Sequence, residues 1–200
     1  MTPRRMRIAI CGGTFDPFHR GHLEPLLSAR ESMQWDRVIY VPAWKQPFKQ
    51  DRDTASGFHR FAMAVLATRN HDDLYVDDIE LQRGGTSYSV DTLAALYERY
   101  GGADFDWIIG EDNVAQLPRW REPERLFAMA RFVVLTRGEE GARCAPLPEG
   151  RVVYAKTPIV PVSSTEIRRR VRAGEAIDAF VDPLVARYIQ HNGLYKEGTA

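Results

Sequence analysis

The sequence contains few cysteines, no long apolar run and no internal repeat. Its two cysteines, Cys11 and Cys144, lie far apart without C-x-x-C spacing, which indicates neither a disulfide framework nor a zinc site. The apolar run after the basic amino-terminal residues covers only residues 8–11, which is too short for a signal peptide or a membrane span. We therefore expect a cytoplasmic protein with no membrane partner.

An excess of charge of either sign is also absent, since 27 basic residues balance 27 acidic ones. Because nucleic-acid-binding proteins usually carry a basic excess, this balance argues against a nucleic-acid partner. No cluster of carboxylates marks a dedicated metal site. The composition is that of an ordinary globular protein, and a length of 200 residues suits a single domain over 1–200. The sequence leaves open whether this domain forms a homo-oligomer.

Strand-like and helix-like segments alternate along the chain. The predicted strands are 7–11, 37–41, 74–81, 106–109, 131–136 and 152–155. Helices are predicted between these strands and at the end of the chain. One follows the first strand, a second covers about 58–68, a third begins at Ser89 as N-cap, a fourth begins at the turn 162–165, and a fifth covers 183–191. This alternation predicts an α/β, Rossmann-like fold, an open and mostly parallel sheet with helices on both faces. Ligands of such sheets bind beyond the carboxyl ends of the strands.

The first unusual segment, GGTFDPFHRGH at 12–22, lies between a predicted strand and helix. Glycines let a backbone approach a phosphate closely, and a helix start offers unpaired N–H groups to an anion. His19 and His22 are placed to face the same anion, and Pro25 is expected in the first helical turn, where a missing N–H costs little. The segment is neither G-x-G-x-x-G nor a P-loop. It predicts a site for nucleoside triphosphate chemistry, the alternative being a tight turn with two surface histidines.

The second unusual segment, VSSTEIR at 162–168, has the spacing of a helix start. Ser163 and Glu166 have capping-box spacing, so Ser164 and Thr165 fall in the first turn with N–H groups and hydroxyls for a phosphate. Arg168 lies one turn further on, where a guanidinium can hold phosphate oxygens in a bidentate way. The alternative is an ordinary capped amphipathic helix with no ligand.

These two segments together resemble the HxGH nucleotidyltransferase superfamily, whose second motif usually has isoleucine in place of Val162. Three further segments are similar to bacterial nicotinate-nucleotide adenylyltransferases, namely 80–93 with the letters ELQRGGTSYS, 110–120 with the pattern G-x-D…L-x-x-W, and 185–195. The resemblance therefore extends over most of the chain. It implies adenylyl transfer from ATP to nicotinate mononucleotide, with release of pyrophosphate.

The resemblance also implies a role for individual residues. The ATP site would contain Gly12, Gly13, Thr14, Phe15, His19, His22, Ser164, Thr165 and Arg168, among which His19, His22 and Arg168 would be catalytic. The acceptor site would contain Lys49, Thr86, Ser87, Tyr88, Asp112, Trp120 and Arg137. Trp120 would stack on the pyridine ring, and backbone N–H groups around 86–88 and near Trp120 would receive the carboxylate. From the residues alone, Trp120 and Tyr88 are equally interpretable as packing aromatics, and Lys49 as a solvated surface lysine.

Mg²⁺ is the expected cofactor, held mainly by the phosphates of ATP and by water. One departure from the family concerns the loop after the second strand, where P-P-H-K is common and this chain has QPFK, with Phe48 in the place of the histidine. The alternatives are the same chemistry on nicotinamide mononucleotide or phosphopantetheine, and a nucleotide-binding regulator without turnover.

Overall fold

A parallel sheet forms the centre of the computed structural model, which describes residues 4–47, 54–136 and 148–196. Within these ranges the strands are β1 (Arg7–Gly13), β2 (Arg37–Pro42), β3 (Leu74–Val76), β4 (Asp104–Gly110), β5 (Arg131–Thr136) and β6 (Val152–Lys156). Their order across the sheet is β3-β2-β1-β4-β5-β6, and every pair is parallel. The predicted fold class is confirmed, because this is the strand order of a doubly wound α/β sheet.

Side chains alternate between two hydrophobic cores, one on each face of the sheet. On β1, Ala9 belongs to the first core, whereas Ile8 and Ile10 belong to the second. On β2, Tyr40 enters the first core and Ile39 the second. Burial on both faces explains why these strands are continuous apolar runs.

Helices cover both faces. They are α1 (Arg20–Met33), α2 (Gly57–Thr68), α3 (Ile79–Arg83), α4 (Ser89–Arg99), α5 (Glu111–Val114), α6 (Pro123–Met129), α7 (Ser164–Arg172) and α8 (Pro183–His191), with a 3₁₀ turn at Leu117–Arg119. Buried residues of α1, α2, α7 and α8 belong to the first core, and those of α4, α5 and α6 to the second. Within the described ranges, no helix is long and apolar enough to cross a membrane.

The predicted strand over 74–81 is wrong beyond Val76, where the chain turns into the short helix α3. The Asp77 carboxylate accepts a hydrogen bond from the N–H of Ile79 at 3.0 Å, which starts the helix. The Glu80 side chain is buried and accepts a hydrogen bond from Thr92 Oγ1 at 2.5 Å. The predicted strand is therefore replaced by a short helix whose residues include or adjoin these two hydrogen-bonded carboxylates.

Two predicted helix positions differ from the structure. Because α1 begins directly after His19, Pro25 lies inside the helix beyond its first turn, where it is buried. Ser89 is the first residue of α4 and not its N-cap, which is Tyr88 with extended backbone and no side-chain cap.

Candidate active site

The two glycine-containing turns that follow β1 and β4 meet at the centre of the sheet. β1 ends at Gly13 and β4 ends at Gly110, and the two strands are neighbours. Chain order reverses here, since β2 and β3 lie on one side of β1 while β4 to β6 lie on the other. A crevice at the carboxyl ends of such strands is where ligands of doubly wound folds bind.

The glycines Gly12 and Gly13 make room for aromatic rings of the protein itself. A Cβ atom at Gly13 would lie 2.7 Å from Cε1 of Phe15, and one at Gly12 would lie 3.2 Å from Cζ2 of Trp107. Phe15 has a φ of 53° and is 3% exposed, and its ring contacts those of Phe18, His22 and Tyr40. The absence of a Cβ at these two glycines is thus required by packing within the protein, and the buried ring of Phe15 leaves only its backbone to contact a ligand.

His19 and His22 lie together at the start of α1, as the sequence predicted. Their rings are stacked, with centroids 3.7 Å apart and planes inclined by 21°. The backbone N–H of His19 donates to Nδ1 of His22 at 3.2 Å. Burial lowers the pKa of His19 to about 4, so its ring is neutral at pH 7, and its Nδ1 is buried without a hydrogen-bond partner among the described residues.

The helix start at Ser163 reaches the turn after β1. Ser163 caps α7 by accepting the N–H of Glu166 at 3.2 Å, as predicted. The hydroxyl of Ser164 donates to the carbonyl of Pro17 at 3.1 Å, and Nη1 of Arg168 donates to the carbonyl of Asp16 at 2.7 Å. Two segments 147 to 152 residues apart in sequence therefore form one site.

The second half of the predicted capping box does not form. The Glu166 carboxylate pairs instead with Arg169 and Arg170, each at 2.9 Å. Two guanidinium groups compete better for this carboxylate than a single backbone N–H does.

Sequence reasoning missed Asp16, whose carboxylate is buried between several elements. Oδ1 accepts hydrogen bonds from the hydroxyl of Tyr195 at 2.6 Å and from the N–H of Ala55 at 3.2 Å. Oδ2 lies 3.8 Å from Nη1 of Arg168. Burial raises the pKa of Asp16, and the Tyr195 hydrogen bond with the charges of Arg168 and Arg60 lowers it in part. Asp16 thus connects the first turn, α7 and the segment after α8.

Sequence reasoning also missed Arg60, which is 2% exposed on α2. It donates to the carbonyls of Thr14 at 2.7 Å, Ala55 at 3.0 Å and Trp44 at 3.5 Å. Arg60 therefore joins the turn after β1 to the loop after β2. A signal was present, because Arg60 has helical spacing to the buried Met63, Ala64 and Ala67.

The predicted loop at 86–88 pairs with the loop after β2. Thr86 and Lys45 form an isolated parallel β-bridge, and the N–H of Ser87 donates a hydrogen bond to the Lys45 carbonyl at 2.8 Å. The hydroxyl of Ser87 accepts the N–H of Trp44 at 2.9 Å. The Ser87 N–H is thus already engaged within the chain, so the predicted carboxylate contact would have to come from its neighbours. The guanidinium of Arg121 lies over the Tyr88 ring, with its Cζ 4.7 Å from the ring centroid.

Asp112 and Trp120 follow β4. Asp112 is exposed on α5, and a Cβ at Gly110 would lie 2.6 Å from its Oδ1, so a larger residue there would displace this carboxylate. Trp120 is half-buried, with its ring 6.2 Å from that of Phe132 and its backbone N–H donating to Leu117 at 3.1 Å. The packing interpretation of Trp120 is confirmed for one part of its ring, and its backbone N–H is not available to a carboxylate.

Lys49, Phe48 and Arg137 lie outside the described residues. Among the described residues, no group of three or more His, Cys, Asp or Glu side chains is placed to hold a metal ion. The described side chains thus form no cage for Mg²⁺.

The fold and the site define a doubly wound protein in which the turn after β1 contacts the start of α7 near the point where strand order reverses. The family model described as cytidylyltransferase-like matches residues 10–170. A relative from Gemmatimonas aurantiaca named "Probable nicotinate-nucleotide adenylyltransferase" is 41% identical, covering 96% of this chain and 93% of the relative. One of the same name from Streptomyces coelicolor is 37% identical, covering 92% and 98%.

A solved structure has the same fold. It is the Plasmodium falciparum nicotinic acid mononucleotide adenylyltransferase complexed with NaAD, similar with a TM-score of 0.76 at 20% identity, covering 96% of this chain and 98% of that one. The chain belongs to the cytidylyltransferase-like family and, within it, to the nicotinate-nucleotide adenylyltransferases.

Proposed function

We propose that this protein transfers the adenylyl group of ATP to nicotinate mononucleotide, giving nicotinate adenine dinucleotide and pyrophosphate, a step of NAD biosynthesis. The observation that carries the proposal is the contact of Ser164 and Arg168 with the turn containing His19 and His22, at the central crevice of the sheet. The names of the full-length relatives support the same chemistry.

The donor side (residues 12–22 and 162–168) is proposed to bind ATP. The backbone of Gly12, Gly13 and Phe15 and the side chain of Thr14 line the turn. The Thr14 hydroxyl is buried without a hydrogen-bond partner among the described residues, and a phosphate oxygen could supply one. Ser164 and Thr165 lie in the first turn of α7, where N–H groups and the helix dipole favour an anion.

The chemistry requires orientation and charge stabilisation rather than a strong base. The 5′-phosphate oxygen of the acceptor is already ionised at neutral pH and attacks the α-phosphorus, while the bond to pyrophosphate breaks. His19 and His22 would donate hydrogen bonds to oxygens on which charge develops, and Arg168 would neutralise charge on the phosphates. A neutral His19 suits this role, because it needs no proton uptake before it donates.

The acceptor side (residues 44–45, 86–88, 112 and 120) is proposed to bind nicotinate mononucleotide. The exposed part of the Trp120 ring would stack on the pyridine, and the N–H groups of Thr86 and Tyr88 would meet its carboxylate. Asp112 belongs to α5, which directly follows β4. For Lys49 and Arg137, a role in the acceptor site remains a prediction from the sequence.

Mg²⁺ is proposed to enter with ATP, coordinated by phosphate oxygens and water. When bound there it neutralises part of the triphosphate charge. None of the roles given above to side chains depends on a direct bond to the metal.

Pyrophosphate release tests the proposal. The protein is incubated with ATP, Mg²⁺ and one acceptor, which is nicotinate mononucleotide, nicotinamide mononucleotide or phosphopantetheine. Fast release with nicotinate mononucleotide is expected, with slower release with the amide. Faster release with either of the other two acceptors would reassign the substrate of the acceptor side. A failure to release pyrophosphate with any of the three acceptors would favour a nucleotide-binding regulator.

A further inference from the structure

Asp16 lies within the donor side, yet its carboxylate faces the protein and not the crevice. It is 2% exposed, and Oδ1 is held by the hydroxyl of Tyr195 at 2.6 Å and the N–H of Ala55 at 3.2 Å. Tyr195 follows α8 and is separated from Asp16 by 179 residues. A buried carboxylate with several donors is a rigid anchor, because each hydrogen bond to a charged group is strong.

Arg168 is tied to this same anchor. Its Nη1 donates to the Asp16 carbonyl at 2.7 Å and lies 3.8 Å from Oδ2. Among the described residues Oδ2 accepts no hydrogen bond, and the Arg168 guanidinium forms an ion pair with it. Within the same described ranges, the hydrogen bond of the other terminal nitrogen, Nη2, is a long one to Thr165 Oγ1 at 3.4 Å. One side of the guanidinium is thus fixed by Asp16, and the other is held weakly.

We propose that Asp16 and Tyr195 are positioning residues for Arg168, so that the segment after α8 supports the donor side. This inference rests on the proposed function, in which Arg168 binds the phosphates of ATP. Tyr195 orients the Asp16 carboxylate, and the carboxylate in turn sets the direction of the guanidinium. Loss of the hydroxyl leaves Arg168 present but less well oriented.

The arrangement also predicts a dependence on pH. Four groups face the Asp16 carboxylate from separate elements, namely Arg60 on α2, Arg168 on α7, the Tyr195 hydroxyl after α8, and the N–H of Ala55 before α2. Burial raises the pKa of Asp16, and the Tyr195 hydrogen bond is the largest influence that lowers it. Removing that hydrogen bond raises the pKa, so Asp16 becomes protonated at a higher pH, and Arg168 then keeps its hydrogen bond to the Asp16 carbonyl but loses the negative charge beside it.

The test is a double-mutant cycle of Tyr195→Phe with Arg168→Ala, measured by pyrophosphate release. Tyr195→Phe is expected to lower kcat about tenfold with KM for ATP changed less than about twofold, and to move the acid limb of kcat to higher pH. In the Arg168→Ala background the same change is expected to lower kcat less than about twofold, because the residue that it positions is gone.

Tyr188→Phe is the matched control, since the Tyr188 hydroxyl also makes a side-chain hydrogen bond, with His59 Nδ1 at 2.9 Å, but not with Asp16. It is expected to leave kcat and its acid limb unchanged. An equal loss from Tyr195→Phe in both backgrounds, or an unmoved acid limb, overturns the inference by showing a role in stability alone.

A second measurement separates this inference from the proposed function. The side-chain ¹⁵Nε–H signal of Arg168, assigned by its loss in Arg168→Ala, is expected to shift and broaden in Tyr195→Phe but not in Tyr188→Phe. An unchanged signal overturns the positioning role. Absence of turnover in the wild-type protein overturns the proposed function only, because this signal reports on Arg168 without any reaction.

Discussion

The donor side and the acceptor side of the crevice are held by different kinds of contact. On the donor side, buried charged groups from distant parts of the chain meet, as Asp16, Arg60 and Arg168 show. On the acceptor side, backbone groups of neighbouring loops pair, as between Lys45 and Ser87, and a half-buried Trp120 leaves part of its ring exposed.

This difference indicates how each side responds to change. Buried charges are costly to leave unpaired, so substitutions on the donor side are expected to affect stability and turnover together. Half-exposed aromatic rings contribute less to the core, so substitutions on the acceptor side are expected to change the use of one substrate and little else. The predictions below test that contrast, in order of decreasing effect.

Arg60→Met is expected to destabilise the protein by about 4 kcal/mol, because it leaves three carbonyls without a donor and removes a cation near Asp16. Urea unfolding measures the free energy. Arg125→Met is the control, since Arg125 pairs with Glu122 on the surface at 3.0 Å and is expected to contribute less than about 1 kcal/mol. Equal losses in the two variants would contradict the structural role of Arg60.

His22→Ala is expected to lower kcat by roughly 10²–10³ while ATP still binds, because one preorganised donor to the transferring phosphate is removed. Stopped-flow pyrophosphate release and ATP titration measure the two quantities. The exposed His191 offers a control, and His191→Ala is expected to turn over normally. Near-normal turnover of His22→Ala would remove this histidine from the mechanism.

Lowering the pH is expected to destabilise the protein through His19. Its pKa is about 4 in the folded chain against an ordinary value of 6.5, so the unfolded chain takes up a proton first as the pH falls. The corresponding stability is present above pH 6.5 and is lost as the pH falls to 4, by about 3 kcal/mol in all.

Urea unfolding of the wild type and His19→Gln over this range isolates that contribution, since the other buried groups are common to both proteins. A smaller decline is expected for the variant. Parallel declines would show that His19 is not buried in its neutral form.

Trp120→Leu is expected to raise KM for nicotinate mononucleotide about tenfold, because the stacking ring is lost while apolar contact with Phe132 is kept. KM for ATP and the free energy of unfolding are expected to change little. Tyr97→Leu is the control, because Tyr97 packs on Phe105 near the start of β4, at the opposite end of the strand from Trp120. A rise in KM for ATP as large as that for the acceptor would mean that the two sides are not separate.

The sequence predicted those parts of the fold and site that depend on local chemistry. Apolar strands and the helix start at Ser163 follow from burial and capping, which neighbouring residues determine. The segment after Val76 was predicted as a strand, although the Asp77 carboxylate accepts the N–H of Ile79 at the start of a short helix there. Local patterns cannot show which of two such tendencies the rest of the protein favours.

The buried polar contacts of the donor side could not be predicted in the same way. Tyr195 ends the segment 185–195 that resembles the family, but that resemblance gives it no role, and its partner Asp16 is 179 residues away. Arg60 did have a signal, as a charge at helical spacing to buried residues, but its three acceptors are carbonyls that any sequence would offer.

The pairing of Asp16 with Arg168 and Tyr195 has a consequence for the order of folding. These contacts close loops of 152 and 179 residues, and contacts of such high sequence separation are costly to form before the intervening chain is ordered. We therefore expect the proposed donor side to be complete only when the sheet that carries it has assembled. If so, ATP would stabilise the folded protein and not the unfolded chain.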